Sequence, residues 1–313
     1  MTEINANMVK ELRDKTGSGM MDCKKALVEC AGNFEEAIDW LRKKGLAAAG
    51  KKADRVTSEG LVAIALSENK AIAIELNSET DFVAQNDKFK NLAKGLAEQA
   101  LKYNAITVQE LLALSSPFDS SRTIKEEITE HIAVIGENIT LRRIDNVEIN
   151  SGVIGSYVHN ASANGMGKIA VLISLESNSS SDEVKQLAKH LAMHIAAAKP
   201  SSLNIEQLDG ALIEREKAIF TDQAIASGKP TAVIEKMVEG RIRKFYEEIV
   251  LLEQIYAIDG KTKVSQMIAD VAKNSEIKVT KFIQSDTTVN CLLNTRRTVS
   301  IDQRIAIFWR FLV

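Results

Sequence analysis

Few residues in this chain have the type and spacing that chemistry needs. His190 and His194 stand four apart in a helical stretch, a spacing at which two imidazoles can ligate one metal ion. The residues between them, Leu191-Ala192-Met193, lack the acidic residue of a metalloprotease helix, so two partly buried, hydrogen-bonded imidazoles are the simpler account. The other two histidines are His131 and His159. Cys23 and Cys30 lie one heptad apart without further ligands nearby, and Cys291 is remote; they read as small buried thiols. No phosphate-binding loop, dinucleotide fingerprint, Gly-x-Ser-x-Gly elbow or zinc spacing is present, and the carboxylates are spread along helix faces as on a solvated surface. Neither cofactor nor metal is expected, and the weight moves from enzyme to binding protein. One segment is peculiar: Asn77-Ser78-Glu79-Thr80-Asp81-Phe82-Val83-Ala84-Gln85-Asn86 leaves a strand and enters a helix. Asp81 beside Phe82 sets a charge and a large apolar ring at that turn. Either Asp81 caps the helix while Phe82 packs into the core, or the pair is an exposed wedge that pushes a ring into a partner.

The elements that must position this turn follow from periodicity. A helix starts over Met8-Val9-Lys10-Glu11-Leu12-Arg13 and stops at Thr16-Gly17-Ser18-Gly19; a second runs from Met20 to Cys30. Asn33 reads as the N-cap of a third, with Glu36 as its capping-box partner, Ala37, Trp40 and Leu41 on one face, and an end at Gly45. Ala47 to Asp54 lacks large apolar residues and reads as a linker. An internal duplication follows. Gly60–Leu66 and Ala71–Asn77 form an alternating strand pair trailed by Leu92-Ala93-Lys94-Gly95-Leu96-Ala97. Gly152–His159 and Lys168–Leu175 form another, trailed by Leu187-Ala188-Lys189-His190-Leu191-Ala192. Between Pro200 and Leu252, apolar stripes on either side of Ser227-Gly228-Lys229-Pro230 predict a helical hairpin, and the chain closes with a helix over 264–272 and a strand over 277–283.

The expected class is therefore α+β. Residues 1–54 form a three-helix module with linker, 55–143 and 144–200 two duplicated subdomains with small antiparallel sheets, 201–252 an inserted helical hairpin, 253–283 the closing helix and strand, and 284–313 an atypical tail. Forty basic residues against 42 acidic ones give a net charge of -2, which disfavours nucleic acid as the main partner. Three cysteines without framework spacing suit a reducing compartment. Residues 1–7 show no targeting peptide, and no apolar run approaches the roughly 20 residues of a membrane span, so a cytoplasmic protein is expected.

Several long runs carry a resemblance. They are Val9 to Leu27, Thr80-Asp81-Phe82-Val83-Ala84, Gly136-Glu137-Asn138-Ile139 with Arg142-Arg143, Met193-His194-Ile195-Ala196 with Lys199-Pro200, and Glu235 to Arg241. In this order, from residue 9 to about 283, they make the chain similar to the elongation factor Ts family. The resemblance implies a factor without covalent chemistry that binds elongation factor Tu, in GDP-bound and nucleotide-free forms, and exchanges its nucleotide. It implies a ubiquitin-associated-like N-terminal module whose Met20 and Met21 touch the GTPase. Asp81 and Phe82 would intrude near the magnesium site, within the turn Thr80–Ala84 (Thr80, Val83 and Ala84 included). Ile135 would line the same pocket, and His159 would contact another domain of the GTPase. The hairpin matches the family's coiled-coil insertion, linked to homodimers in some members. From Gln284 to Val313 the chain departs from the family's ending, as a frameshifted or divergent terminus would. An adaptor or self-associating protein is the main rival but leaves the Asp81-Phe82 turn unexplained. An RNA binder using Lys51-Lys52 and Arg142-Arg143 lacks the basic excess and the clustered aromatics.

Overall fold

The computed structural model describes residues 4–226, 228–272 and 276–287. The N-terminal module is α1 (Ala6–Thr16), α2 (Met20–Glu29) and α3 (Phe34–Gly50). The first subdomain is β1 (Glu59–Leu66), β2 (Lys70–Ser78), α4 (Asp81–Ala84), α5 (Asp87–Tyr103), α6 (Val108–Ala113), α7 (Ile124–Ile135) and β3 (Ile139–Glu148). The second is β4 (Gly152–Ala163), β5 (Met166–Ser177), α8 (Asp182–Ala198), the hairpin α9 (Gly210–Ile225) and α10 (Thr231–Ile249), then α11 (Val264–Val271) and β6 (Ile277–Asp286).

The duplication extends through the third strand of each copy. β2 pairs with β1 and β3, and β5 pairs with β4 and β6, all antiparallel. Each copy opens on a glycine at positive φ, Gly60 (149°) and Gly152 (126°). A Cβ there would lie 2.3 Å from the Leu76 carbonyl oxygen and 2.1 Å from that of Leu175. Each central strand has a register break one residue before that leucine, after Glu75 and after Ser174. β3 crosses the boundary expected between residues 143 and 144, because it completes the first sheet. A short pairing of Val62-Ala63 with Gly167-Met166 joins the two sheets into one six-stranded sheet.

Alternation along the strands divides the core. Leu61, Ala63 and Ala65 of β1 face α5, where Phe89, Leu92, Ala93, Leu96 and Ala97 are buried. Val171, Ile173 and Leu175 of β5 face α8, where Leu187, Ala188, Leu191 and Ala192 are buried. The opposite faces, with Val62, Ala71, Ala73, Ala170 and Leu172, form a third cluster between the sheets. The repeated Leu-Ala-Lys-x-Leu-Ala run is thus the helix face that each sheet buries.

Four further expectations change. α3 does not stop at Gly45, and Ala47–Asp54 does not begin as a linker: the helix continues to Gly50 and buries Ala49 in the first subdomain's core. Gly45 serves close approach, since a Cβ there would lie 2.9 Å from the Ala133 Cβ of α7. Glu36 takes part in capping, but it accepts from the Asn33 side-chain amide at 3.0 Å while Asn33 accepts from Glu35 and Glu36 amides. The tail does not begin at Gln284, because β6 runs to Asp286 and the Thr287 amide donates to the Lys168 carbonyl at 3.0 Å. The rest of that tail, from residue 288, and Cys291 lie outside the described residues. The hairpin forms as expected and its base is closed, with the Ser201 amide on the Ile249 carbonyl at 2.7 Å and Leu251 on Ser202 at 2.9 Å.

Candidate partner-binding site

The turn after β2 is built from local chemistry. Thr80 is extended, and its hydroxyl faces the Val83 amide at 3.5 Å, so Thr80 rather than Asp81 is the N-cap of α4. Asp81 occupies the first helical position, where a carboxylate suits the positive end of the helix. One turn later Asn86 caps α5, accepting from the Lys88 amide at 2.9 Å. On so short a helix the four side chains cannot share a face. Val83 and Ala84 turn into the core at 9% and 2% exposure. Phe82 turns out at 85%, higher than any other large hydrophobic side chain among the described residues. The core-packing account of Phe82 is therefore wrong: the core side of α4 is filled by its successors. Leaving a phenylalanine in water forgoes about 1.5–3 kcal/mol of burial.

The turn is clamped across the sequence. Glu137 accepts from the Thr80 amide at 3.0 Å with one oxygen and from the Thr80 hydroxyl at 2.7 Å with the other. In return Glu79 accepts from the Asn138 amide at 2.6 Å. The Asn138 side chain, 5% exposed, donates to the carbonyls of Ala53 (3.2 Å) and Arg55 (2.9 Å). Glu79, Glu137 and Asn138 were not among the expected site residues. Glu137-Asn138 stands in a run that carries the resemblance, but its partners are 57 and 59 residues away, which no local pattern reveals.

Ile135 ends α7 against the first core, two residues before Glu137, so Asp81, Phe82 and Ile135 gather at one place. Met20 and Met21 open α2 at 53% and 75% exposure. The loop before them approaches the same end of the molecule, as a Cβ on Gly17 would lie 3.4 Å from Lys88 Nζ and 3.7 Å from Val134. His159 stands apart on β4, paired in register with Ile169 and 3.1 Å from the Tyr157 hydroxyl through Nδ1. Burial pushes the Tyr157 phenol up, which keeps it neutral beside the imidazole.

Other sequence candidates are absorbed by the fold. His194 is fully buried; its Nδ1 accepts from the Ala257 amide at 3.1 Å and its Nε2 lies 2.9 Å from the Gln254 carbonyl oxygen. Both nitrogens are engaged, and burial lowers its pKa to about 4, so it is a neutral structural imidazole. Arg142 and Arg143 converge on the buried carboxylate of Glu75 at 3.2 and 2.6 Å, which removes that pair from any nucleic-acid reading. Such a buried charge is tolerable because both partners neutralise it. Among the described residues no helix is long and apolar enough to cross a membrane.

Known proteins match this chain over most of its length. The family model described as "Elongation factor TS" matches residues 79–287. An elongation factor Ts of Rickettsia typhi is 53% identical over 291 residues, covering 91% of this chain and 92% of its own. Those of Paramagnetospirillum magneticum (52% over 273 residues, 87% of each chain) and Rhodospirillum centenum (47% over 287 residues, 91% and 92%) are similar. The family match ends at Thr287, one residue past the end of β6.

Proposed function

The chain belongs to the elongation factor Ts family, and from that premise we propose that it is the guanine nucleotide exchange factor of elongation factor Tu in translation elongation, with Asp81-Phe82 as its wedge. It works by binding, in the cytoplasm, on both the GDP-bound and the nucleotide-free GTPase, and makes or breaks no covalent bond. The observation that carries the mechanism is the exposure of Phe82 on a turn held by hydrogen bonds. Met20, Met21 and Ile135 extend the contact on the same side, and His159 supplies a second one through β4.

Linkage gives the rest. A factor that prefers the nucleotide-free GTPase must weaken nucleotide affinity by the same ratio. A ring driven between helices deforms the site that holds Mg²⁺ and phosphates, and Mg²⁺ tolerates little departure from octahedral geometry. Release of a fluorescent GDP analogue from elongation factor Tu tests this. The native chain accelerates release, and Phe82→Ala lowers that acceleration by about 10- to 100-fold without lowering the melting temperature. An unimpaired Phe82→Ala would keep the function and remove the wedge.

The hairpin leaves Ile219, Ile225 and Val233 exposed, and we infer that it mediates homodimers. Light scattering on the eluting protein should give twice the chain mass, reverting to one with Ile219→Glu; a monomer at every concentration refutes it.

A further inference from the structure

We propose that Glu137 and Asn138 are positioning residues, which lock the wedge turn, the end of α7 and the connector from the N-terminal module into one preformed docking surface. This rests on the wedge proposed above and adds what aims it. Phe82 has almost no packing of its own, so its direction must come from the backbone beneath it. That backbone is held from two sides. Val83 and Ala84 anchor it in the core. Glu137 fixes Thr80 with both carboxylate oxygens, at 3.0 and 2.7 Å, immediately before Asp81 and Phe82.

The second half of the device reaches the module. Asn138 gives its backbone amide to Glu79 and its side-chain amide to Ala53 and Arg55, in the connector that follows α3. Arg55 in turn lies 3.5 Å from Glu79, and Lys52 Nζ lies 3.5 Å from the Ile132 carbonyl near the end of α7. One buried asparagine thus ties the segment leaving the Met20-Met21 module to the turn bearing Phe82. A surface ordered in advance does not lose conformational freedom when the ring inserts, whereas a loosened turn must be ordered at that step. The cost falls on insertion and therefore on the maximal exchange rate, while the first encounter through α2 is spared.

The experiment measures GDP-analogue release against rising factor concentration, which separates the maximal rate from the half-saturating concentration. The variants are Glu137→Ala, Glu137→Gln, Asn138→Ala, Phe82→Ala and the double Phe82→Ala/Glu137→Ala, each with a thermal melt. Glu137→Ala should lower the maximal rate about tenfold and leave half-saturation within about twofold. The isosteric Glu137→Gln, which keeps one acceptor, should fall between and guards against a failure to fold. Asn138→Ala should behave as Glu137→Ala. The double variant should be no slower than Phe82→Ala alone, because an absent ring needs no aiming. A full maximal rate in folded Glu137→Gln and Asn138→Ala beside a slow Phe82→Ala overturns the positioning role, and so do losses that multiply in the double variant. A fast Phe82→Ala instead removes the wedge itself, which separates that failure from this one.

Discussion

The two halves of the core are built alike and end differently. In both, a glycine at positive φ opens the first strand against the carbonyl of a leucine in the second, Leu76 or Leu175. In both, a fully buried polar residue sits at the register break of the central strand. Glu75 there meets Arg142 and Arg143 on β3, and Ser174 meets the Thr280 hydroxyl (2.8 Å) and the Lys281 carbonyl (3.0 Å) on β6. In both, a buried polar side chain seven residues after the first leucine of the echoed run ties the helix to the returning chain. Gln99 donates to the Ser115 carbonyl at 2.8 Å, and His194 meets Gln254 and Ala257. The junction between second strand and helix is where they part. The first copy inserts the clamped turn that lifts Phe82 into solvent; the second has Asn178-Ser179-Ser180-Ser181, with Ser181 capping α8 and no aromatic. The second copy in turn carries the long hairpin. Packing constrains what faces the core, and the connections are free to take on binding work.

The glycines give the hardest test of this equivalence. Gly60→Ala and Gly152→Ala should each cost about 2–4 kcal/mol in chemical denaturation, from strained φ plus a clash with backbone that cannot swing away. If one is tolerated, the copies are not built on the same constraint. The Gln99 and His194 pair should separate the copies by pH. His194 has a folded pKa of about 4, below the 6.5 of a free imidazole. The unfolded chain therefore takes up the proton first, so this contribution is complete above pH 6.5 and is lost as pH falls toward 4. It amounts to about 3 kcal/mol over that window. Hydrogen exchange should show α8 loosening on acidification before α5, and His194→Gln should abolish the difference; equal loosening would mean that other groups govern acid stability. The caps give the smallest effect. Ser181→Ala should cost about 1 kcal/mol, and Thr80→Ala about 2, since Thr80 loses its bond to Glu137 as well as the cap. Equal losses would show the clamp adding nothing to stability.

Much of this architecture is legible along the chain. Alternation located both strand pairs, and the apolar period with its Gly-Pro break located the hairpin. The Leu-Ala-Lys-x-Leu-Ala echo pointed to the duplication because a helix buried on a sheet must repeat its apolar face. The turn around Phe82 was visible as an anomaly, but two roles stayed open for it. Where local signals misled, a distant surface was the cause. Gly45 looks like a helix stop until α7 lies against it, and Ala47–Ala49 looks like a linker until Ala49 enters the core.

By itself, then, the sequence determined the N-terminal helices, both strand pairs with the helix trailing each, the hairpin, the closing helix and strand, and the family, because those depend on periodicity, capping and long matching runs close along the chain; α6, α7 and β3 were not among them. Tertiary structure alone decided which way Phe82 points, what holds its turn, and that His194 and the Arg142-Arg143 pair serve the fold. The clamp on that turn, His194 and the arginine pair depend on partners 57 to 68 residues away. Such contacts are set by how the sheets and helices stack, and a local pattern carries no record of that.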